Sequence, residues 1–283
     1  MATSNQVSLL SRNMEAFCGF VASGVVRGNL RTASAARVRV RTAGARNNAR
    51  ASRFMRVTTA CVSKASAEPK KVAGPYAGKF GEWYLTEQDV RDVRIYRTAL
   101  ALGVVSAAAA ALPVFVPFGE TGWGANLSDA AFVVGAASLG VSLHYIHIYM
   151  KPMHDFLKGL FVLGAGLSCV SAILHDGALV SALPSDPSAM LAFGWIFAAA
   201  TGLFFKETVC FGRVEALGLT LMVPFLSAGT FFQVLPAEVA KPALVVALIS
   251  GSVFAANKLF GMEVEADLGD KSVFEYLAQE ERK

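Results

Sequence analysis

Long apolar stretches separated by short polar ones dominate the chain between residues 96 and 260. A bilayer core about 30 Å thick needs about 20 apolar helical residues. Because the connections are short, the pattern predicts an all-α, polytopic membrane helical bundle of about six transmembrane helices. The predicted spans are Tyr96–Phe118, Leu127–Tyr149, Phe156–Leu174, Pro187–Phe205, Val214–Leu235 and Pro242–Phe260.

Polar segments with helix-start signals flank this bundle on both sides. In residues 85–97, Thr86 is placed as an N-cap and Asp89 takes the capping-box position three residues later. In residues 270–283, Ser272 and Glu275 repeat the same arrangement. The sequence therefore predicts a short amphipathic helix at each end of the chain, lying at the membrane surface or against a partner.

The N-terminal segment has the composition of an organelle transit peptide. Up to Ala67 its only acidic residue is Glu15, while arginine recurs among serine, threonine and alanine. A disordered basic arm that binds nucleic acid or anionic lipid is the alternative. The predicted organisation is a disordered plastid transit peptide over 1–60, a linker over 61–85, the six-span domain with its N-terminal interfacial helix over 86–260, and a tail over 261–283.

Composition and the position of the basic residues define the surroundings of the chain. Its mean hydropathy is +0.48 and 17% of its residues are charged, against about a quarter in soluble domains, so lipid is the expected solvent. After the N-terminal segment, lysine and arginine concentrate on one side of the six-span arrangement, and the opposite loops hold only Lys241. By the positive-inside rule both termini face the stroma of a plastid. Targeting and topology explain the net charge of +5, and no nucleic-acid partner is predicted.

Three histidines in the segment HYIHIYMKPMHDF, residues 144–156, are candidates for ligand chemistry. The favoured interpretation is that they are hydrogen-bonded groups at the membrane interface. No cofactor is predicted, but a non-haem metal held by His147, His154 and Glu207 is an alternative, because imidazole and carboxylate are common ligands. Ligation of haem or chlorophyll is less favoured, since His154 is expected in a loop.

The segment FKETVCFGRVEA, residues 205–216, concentrates charge between two predicted spans. Lys206, Glu207, Arg213 and Glu215 form either a solvated turn or a fixed ion-pair platform that positions Cys210. Basic neighbours lower a thiol pKa, which allows redox sensing at this cysteine. The remaining polar candidates on the same side lie in the C-terminal tail, at Asp270 and Lys271.

Four motifs in a fixed order resemble an uncharacterised integral-membrane family of cyanobacteria and plastids. They are GKFGEWYLTEQDVRDVRIYRTALAL, HIYMKPMH, GLFFKETVCFGRVEALGLTLMVPFL and GDKSVFEYL. The resemblance spans residues 76–277 and implies several spans in a photosynthetic lineage, without an activity. The matching polar signature consists of His147, His154, Lys206, Glu207, Cys210, Phe211, Arg213, Glu215, Gly269, Asp270, Lys271 and Phe274.

No catalytic constellation is evident in the sequence. The predicted function is therefore that of a non-catalytic chloroplast membrane protein, in the thylakoid rather than the inner envelope. It would assist the assembly, stability or regulation of a photosynthetic membrane complex, whose subunits are the expected partners beside the lipid bilayer. A small-solute transporter or channel is one alternative, and a metal-dependent membrane oxidoreductase is another.

Overall fold

The computed structural model describes residues 70–116, 122–261 and 263–280. The predicted transit peptide, the first part of the predicted linker and the last three residues of the tail lie outside the described residues.

Six long helices form the body of the described part of the molecule, which confirms the predicted all-α bundle. Each is long and apolar enough to cross a membrane. The helices are α1 Glu87–Phe115, α2 Trp123–Tyr145, α3 Lys151–Leu174, α4 Met190–Phe211, α5 Val214–Phe231 and α6 Ala237–Phe260.

The helix ends differ from the predicted ones for identifiable reasons. The predicted N-terminal interfacial helix is continuous with the first span, because the sequence between Thr86 and Pro113 contains no proline that would end a helix. Helix α3 begins at Lys151 rather than Phe156, since Pro152 occupies its first turn, where no backbone N–H is needed. Helix α4 extends to Phe211, which places Lys206 and Glu207 inside the bundle and not in a turn.

The helices pack in an order that places α1 beside α2 and α6, and α4 between α3 and α5. The core is apolar and includes Phe193, Leu203 and Phe254, all three fully buried. Helices α3 and α4 approach closely at Gly164, where a Cβ atom would lie 2.7 Å from the backbone nitrogen of Ile196. A larger residue at that position would force the two helices apart.

A small folded layer, here called the terminal cap, covers one end of the bundle. It comprises residues 70–86 and 263–280. Strands β1 Lys71–Gly78 and β2 Gly81–Thr86 form an antiparallel hairpin, and helices α7 Glu265–Leu268 and α8 Lys271–Glu280 follow α6. The hairpin lies in the segment expected to be a linker. The end of the bundle that carries the cap is called the cap end below, and the other is called the opposite end.

Candidate functional site

The terminal cap has its own small apolar core. Leu85 from the hairpin, Val93 from α1 and Leu268 from α7 are buried against one another. On the hairpin, Tyr76 stacks on Trp83 with ring centroids 4.7 Å apart. Because this core includes residues from both ends of the described chain, the two terminal segments fold as one unit.

The start of α1 confirms the predicted capping box and connects it to the tail. The Thr86 backbone and hydroxyl both donate to Asp89 Oδ2, at 2.9 and 2.6 Å, and the Thr86 hydroxyl accepts from the Asp89 backbone N–H. Lys271 of α8 places its Nζ 2.7 Å from the same Asp89 oxygen. A helix cap on the first span is thereby joined to the C-terminal helix.

Asp270 starts helix α8 and also holds the hairpin turn. Its Oδ1 accepts from the Ser272 backbone N–H at 3.0 Å and from the Ser272 hydroxyl at 2.6 Å. Its Oδ2 accepts from the Lys79 backbone N–H at 2.6 Å, and these donors hold the pKa of Asp270 below its usual value. The prediction of Ser272 as the N-cap was wrong, because the helix begins at Lys271, two residues earlier than that N-cap requires, with Asp270 in front of it.

The connection between α2 and α3 is fixed under the tail by Tyr149. Its hydroxyl accepts the Asp270 backbone N–H at 2.5 Å, and its ring stacks on Phe274 with centroids 4.7 Å apart. Gly269 adopts φ +68°, and a Cβ there would overlap the Tyr149 hydroxyl. Glycine at 269 is therefore required both by the backbone conformation and by the close approach of the ring.

Beneath the cap lies a set of buried charged side chains, here called the buried ion network. Its centre is Glu207 of α4, which has no solvent-exposed surface. Glu207 Oε1 accepts from the Tyr96 hydroxyl at 2.9 Å and from Lys206 Nζ at 3.3 Å. Glu207 Oε2 lies 2.6 Å from Lys258 Nζ of α6, but accepts no well-aligned hydrogen bond, so this contact is chiefly electrostatic.

The network continues into the terminal cap through Asp267 of α7. Lys258 contacts Asp267 as well as Glu207, and Arg97 of α1 places its Nε 2.5 Å from the other Asp267 oxygen. Arg97 also donates to the backbone carbonyl of Glu263 at 2.8 Å. The network consists of Arg97, Lys206, Glu207, Lys258 and Asp267, and it joins three spans to the tail.

Aromatic rings surround the cations of this network. Lys206 Nζ lies 4.2 Å from the centroid of the Phe211 ring, and Lys258 Nζ lies 5.1 Å from the same centroid. Ring faces attract cations that are removed from water. The two lysines are therefore stabilised by carboxylates on one side and by a ring on the other, in a place where an unpaired charge would be costly.

The predicted histidine candidates have separate partners. His154 lies in the first turn of α3, and its Nε2 is 2.7 Å from the carbonyl oxygen of Leu143, near the end of α2. This contact satisfies one of the carbonyls that a helix end leaves open. His147 packs edge-on against Phe274 at 6.2 Å between centroids, and burial lowers its pKa.

Each side chain predicted as a metal ligand contacts a different group of the protein. His154 contacts a backbone carbonyl, Glu207 contacts lysines and a tyrosine, and His147 contacts a phenyl ring. Within residues 70–116, 122–261 and 263–280, no group of three His, Cys, Asp or Glu side chains is placed to hold a metal ion.

The remaining predicted candidates lie at the junction of α4 and α5. Arg213 Nη1 is 3.8 Å from Glu215 Oε1, and the same oxygen accepts from the Asn257 amide of α6 at 2.9 Å. Cys210 is exposed and is a free thiol. The structure thus separates Glu215, which joins α5 to α6, and its neighbour Arg213 from Lys206 and Glu207 in the buried ion network.

The sequence interpretation missed part of the buried ion network. The sequence pattern identifies Arg97 and Lys258 only as flanking charges that orient the bundle, and it gives no special role to Tyr96 or Asp267. The available signal was their position inside spanning helices. Arg97 lies in the third turn of α1, and Lys258 lies within the last turn of α6. A charged residue inside a spanning helix is expected to have a buried partner, but the sequence does not identify which one.

Comparison with known proteins agrees with the membrane fold. Residues 141–276 match the model of a family described as Uncharacterized integral membrane protein (DUF2301). This match begins within α2 and ends within α8, so it includes Glu207, Lys258 and Asp267. No curated protein and no solved structure matches the chain. Together with the six spans, the match identifies an integral membrane protein that crosses the bilayer several times.

Proposed function

We propose that the protein is a non-catalytic plastid membrane protein that assists the assembly, stability or regulation of a photosynthetic membrane complex. The observation that carries this proposal is the way the terminal cap is fixed to the bundle. Buried charges on three spans bind the tail through Asp267, and Tyr149 and Asp89 hold helix α8. A folded surface of this kind, held rigidly at one end of a bundle, suits the binding of another protein.

The exposed part of the cap offers contacts of the type found at protein interfaces. Phe80 at the hairpin turn stacks on Tyr276 of α8 with centroids 4.2 Å apart, and both rings remain exposed. Leu277 beside them is also exposed. Aromatic residues contribute much of the energy of protein interfaces, so this surface is the proposed contact with a subunit of the complex.

The proposed location is the thylakoid membrane, with both termini in the stroma. Support comes from the Arg-rich, acid-poor sequence before Ala67, from the resemblance to a photosynthetic-lineage family, and from the basic residues at the cap end. A protease added to intact thylakoids should then remove helix α8. A tail that stays protected until the membranes are opened would contradict this orientation.

The first experiment is native-gel migration of a tagged protein from gently solubilised plastid membranes, with mass spectrometry of the band. Co-migration with subunits or assembly intermediates of one photosynthetic complex supports the proposal. A double variant of the exposed surface, Tyr276→Ser with Leu277→Ser, should abolish co-migration, while Lys241→Ser at the opposite end should not. Wild-type protein that migrates alone would contradict the proposal.

Transport of a small solute is a second candidate function, favoured by the charges inside the bundle. Glu207, Lys206 and Lys258 are buried in α4 and α6, and ionisable groups within spans often line ion or proton pathways. Solute or proton flux into proteoliposomes, lost in Glu207→Gln but retained in Glu238→Gln, would support transport. Absence of flux with a panel of small solutes and protons would leave the assembly role as the better account.

A further inference from the structure

The loop between α3 and α4, residues 175–189, is held at the opposite end by a buried carboxylate. Asp129 of α2 is buried, and its Oδ1 accepts from the backbone N–H groups of Leu179 and Ser181 at 3.2 and 2.9 Å. Its Oδ2 accepts from the Ser181 hydroxyl at 2.5 Å. These bonds fix the first half of the loop to α2.

The second half of the loop is held by a histidine. His175 follows the last residue of α3, and its Nδ1 lies 2.8 Å from the carbonyl oxygen of Ser171. Its Nε2 lies 3.1 Å from Asp186 Oδ2. Both nitrogens therefore face oxygen acceptors, and only the protonated imidazolium carries a hydrogen on each nitrogen. Both contacts become hydrogen bonds when His175 is charged.

Asp186 connects this contact to the start of α4. Its Oδ1 accepts from the Ser188 backbone N–H at 3.0 Å and from the Ser188 hydroxyl at 2.5 Å. These bonds cap the short 3₁₀ turn Pro187–Ala189, which leads directly into α4. The contact of His175 with Asp186 thus joins the end of one span to the beginning of the next.

We propose that His175 and Asp186 form a pH-sensitive clasp that closes the loop 175–189 when the compartment at the opposite end becomes weakly acidic. In the closed state the imidazolium donates to Ser171 and Asp186 together. When His175 loses its proton, only one nitrogen can donate, so one of the two hydrogen bonds is lost and the attraction between opposite charges disappears. The second half of the loop then opens more often, while Asp129 still holds the first half.

The surroundings of His175 allow this titration. The side chains of His175 and Asp186 are 24% and 42% exposed, so protons reach them from solvent. Asp176 is the other charged neighbour on the loop and favours the imidazolium, whereas Asp129 on α2 is engaged by three donors. Within the part of the chain that the structure describes, Glu238 and Lys241 at the start of α6 form no ion pair with His175 or Asp186.

The direction of the pH dependence follows from the contacts. The Ser171 carbonyl and then Asp186 raise the pKa of His175, so its contribution is complete below the ordinary histidine pKa and is lost as pH rises through the raised value. The Ser188 hydroxyl and then His175 lower the pKa of Asp186, so the carboxylate stays charged well into acid. The clasp is therefore closed in weak acid and open in weak alkali.

Hydrogen exchange of the loop amides in lipid nanodiscs tests the clasp. At each pH, the amide exchange rate measured in His175→Gln is divided by the rate measured in the wild type. This ratio cancels the intrinsic pH dependence of amide exchange. At about pH 5.5, where an ordinary histidine is mostly charged, the amides of residues 186, 188 and 189 should exchange about two- to fivefold faster in the variant, as expected for loss of one exposed ion pair. At about pH 8.5 the ratio should approach one.

Two further variants and an NMR titration complete the test. Asp186→Asn should raise exchange in the same acidic range, and His144→Gln, which changes a histidine at the cap end, should leave the amides of residues 186, 188 and 189 unchanged. Histidine ring ¹⁵N NMR of the wild type should show that the His175 signal, assigned from its loss in His175→Gln, titrates above the ordinary range. Titration below that range, or an exchange ratio equal at both pH values, would overturn the proposal.

Discussion

The two ends of the bundle hold their connecting segments with charged side chains in different surroundings. At the cap end, Glu207 and Lys258 are 0% and 1% exposed and pair inside the protein. At the opposite end, His175 and Asp186 pair where water reaches them. A buried pair is costly to break, because the remaining charge has no solvent, whereas an exposed pair contributes little and follows the pH. The buried pair at the cap end is therefore expected to persist, whereas the His175–Asp186 pair at the opposite end is expected to form and break as the pH changes.

The largest expected effect comes from removing the cation shared by two buried carboxylates. Lys258→Ala leaves Glu207 and Asp267 without their common partner, and we expect a loss of about 3–5 kcal/mol in the free energy of unfolding. Denaturant unfolding in mild detergent measures it. The matched control is Lys241→Ala, which changes an exposed lysine of the same helix and should cost less than about 0.5 kcal/mol. Equal effects of the two substitutions would show that the buried ion network is not stabilising.

A smaller effect is expected from the buried carboxylate at the opposite end. Asp129→Ala removes an acceptor for two backbone N–H groups and one hydroxyl, and hydrogen bonds to charged groups contribute about 1.5–3 kcal/mol. Proteolysis within residues 175–189 should accelerate while cleavage of the terminal cap stays unchanged. Acceleration at both ends would mean that the two ends are coupled, which contradicts the division described above.

The close contact at Gly269 gives a comparable test at the cap end. Gly269→Ala places a Cβ in the space of the Tyr149 hydroxyl, and the alanine must adopt a backbone conformation that is rare outside glycine. We expect this to lower the free energy of unfolding by about 1–3 kcal/mol. Helix α8 should become sensitive to protease. The control is Gly166→Ala within α3, where an added Cβ meets open space. Equal protease resistance in both variants would show that the Tyr149 contact does not hold the tail.

The smallest expected effect is a pH response of opposite sign at the two ends. Burial lowers the pKa of His147, so its contribution to cap stability is present above the ordinary histidine pKa and declines as pH falls below that value. Acidification should therefore loosen the amides of α8 slightly while it closes the loop 175–189. Hydrogen exchange of both segments, compared in wild type and His147→Gln, measures the difference. Parallel responses at the two ends would contradict these assignments.

The sequence predicts the bundle well because lipid imposes a simple rule on it. Backbone groups within a bilayer core must bond inside their own helix, so each apolar run of sufficient length becomes a helix whatever its neighbours are. Thr86 and Asp89 were likewise predictable, since a capping box needs only residues three apart. Errors at the start of α3 and the end of α4 arose where polar residues continue a helix beyond its apolar part.

The hairpin was missed because the signals in its sequence are weak. Strand β1 contains Pro75 and two glycines, which count against a strand. What stabilises it lies elsewhere in the chain, since Asp270 and Ser272 bind the turn residues Lys79 and Phe80. A two-stranded sheet is marginal alone, so its formation depends on contacts that sequence spacing does not show.

The sequence by itself determined the six spans, their polar ends and the accumulation of basic residues on one side. Only the tertiary structure decided the partners of the charges. Glu207 and Lys258 are about fifty residues apart, and His175 and Asp186 are separated by a loop of irregular structure, so no local pattern relates them. Helix periodicity is a property of neighbouring residues, whereas an ion pair depends on where whole helices end after packing, and that position is fixed by the fold as a whole.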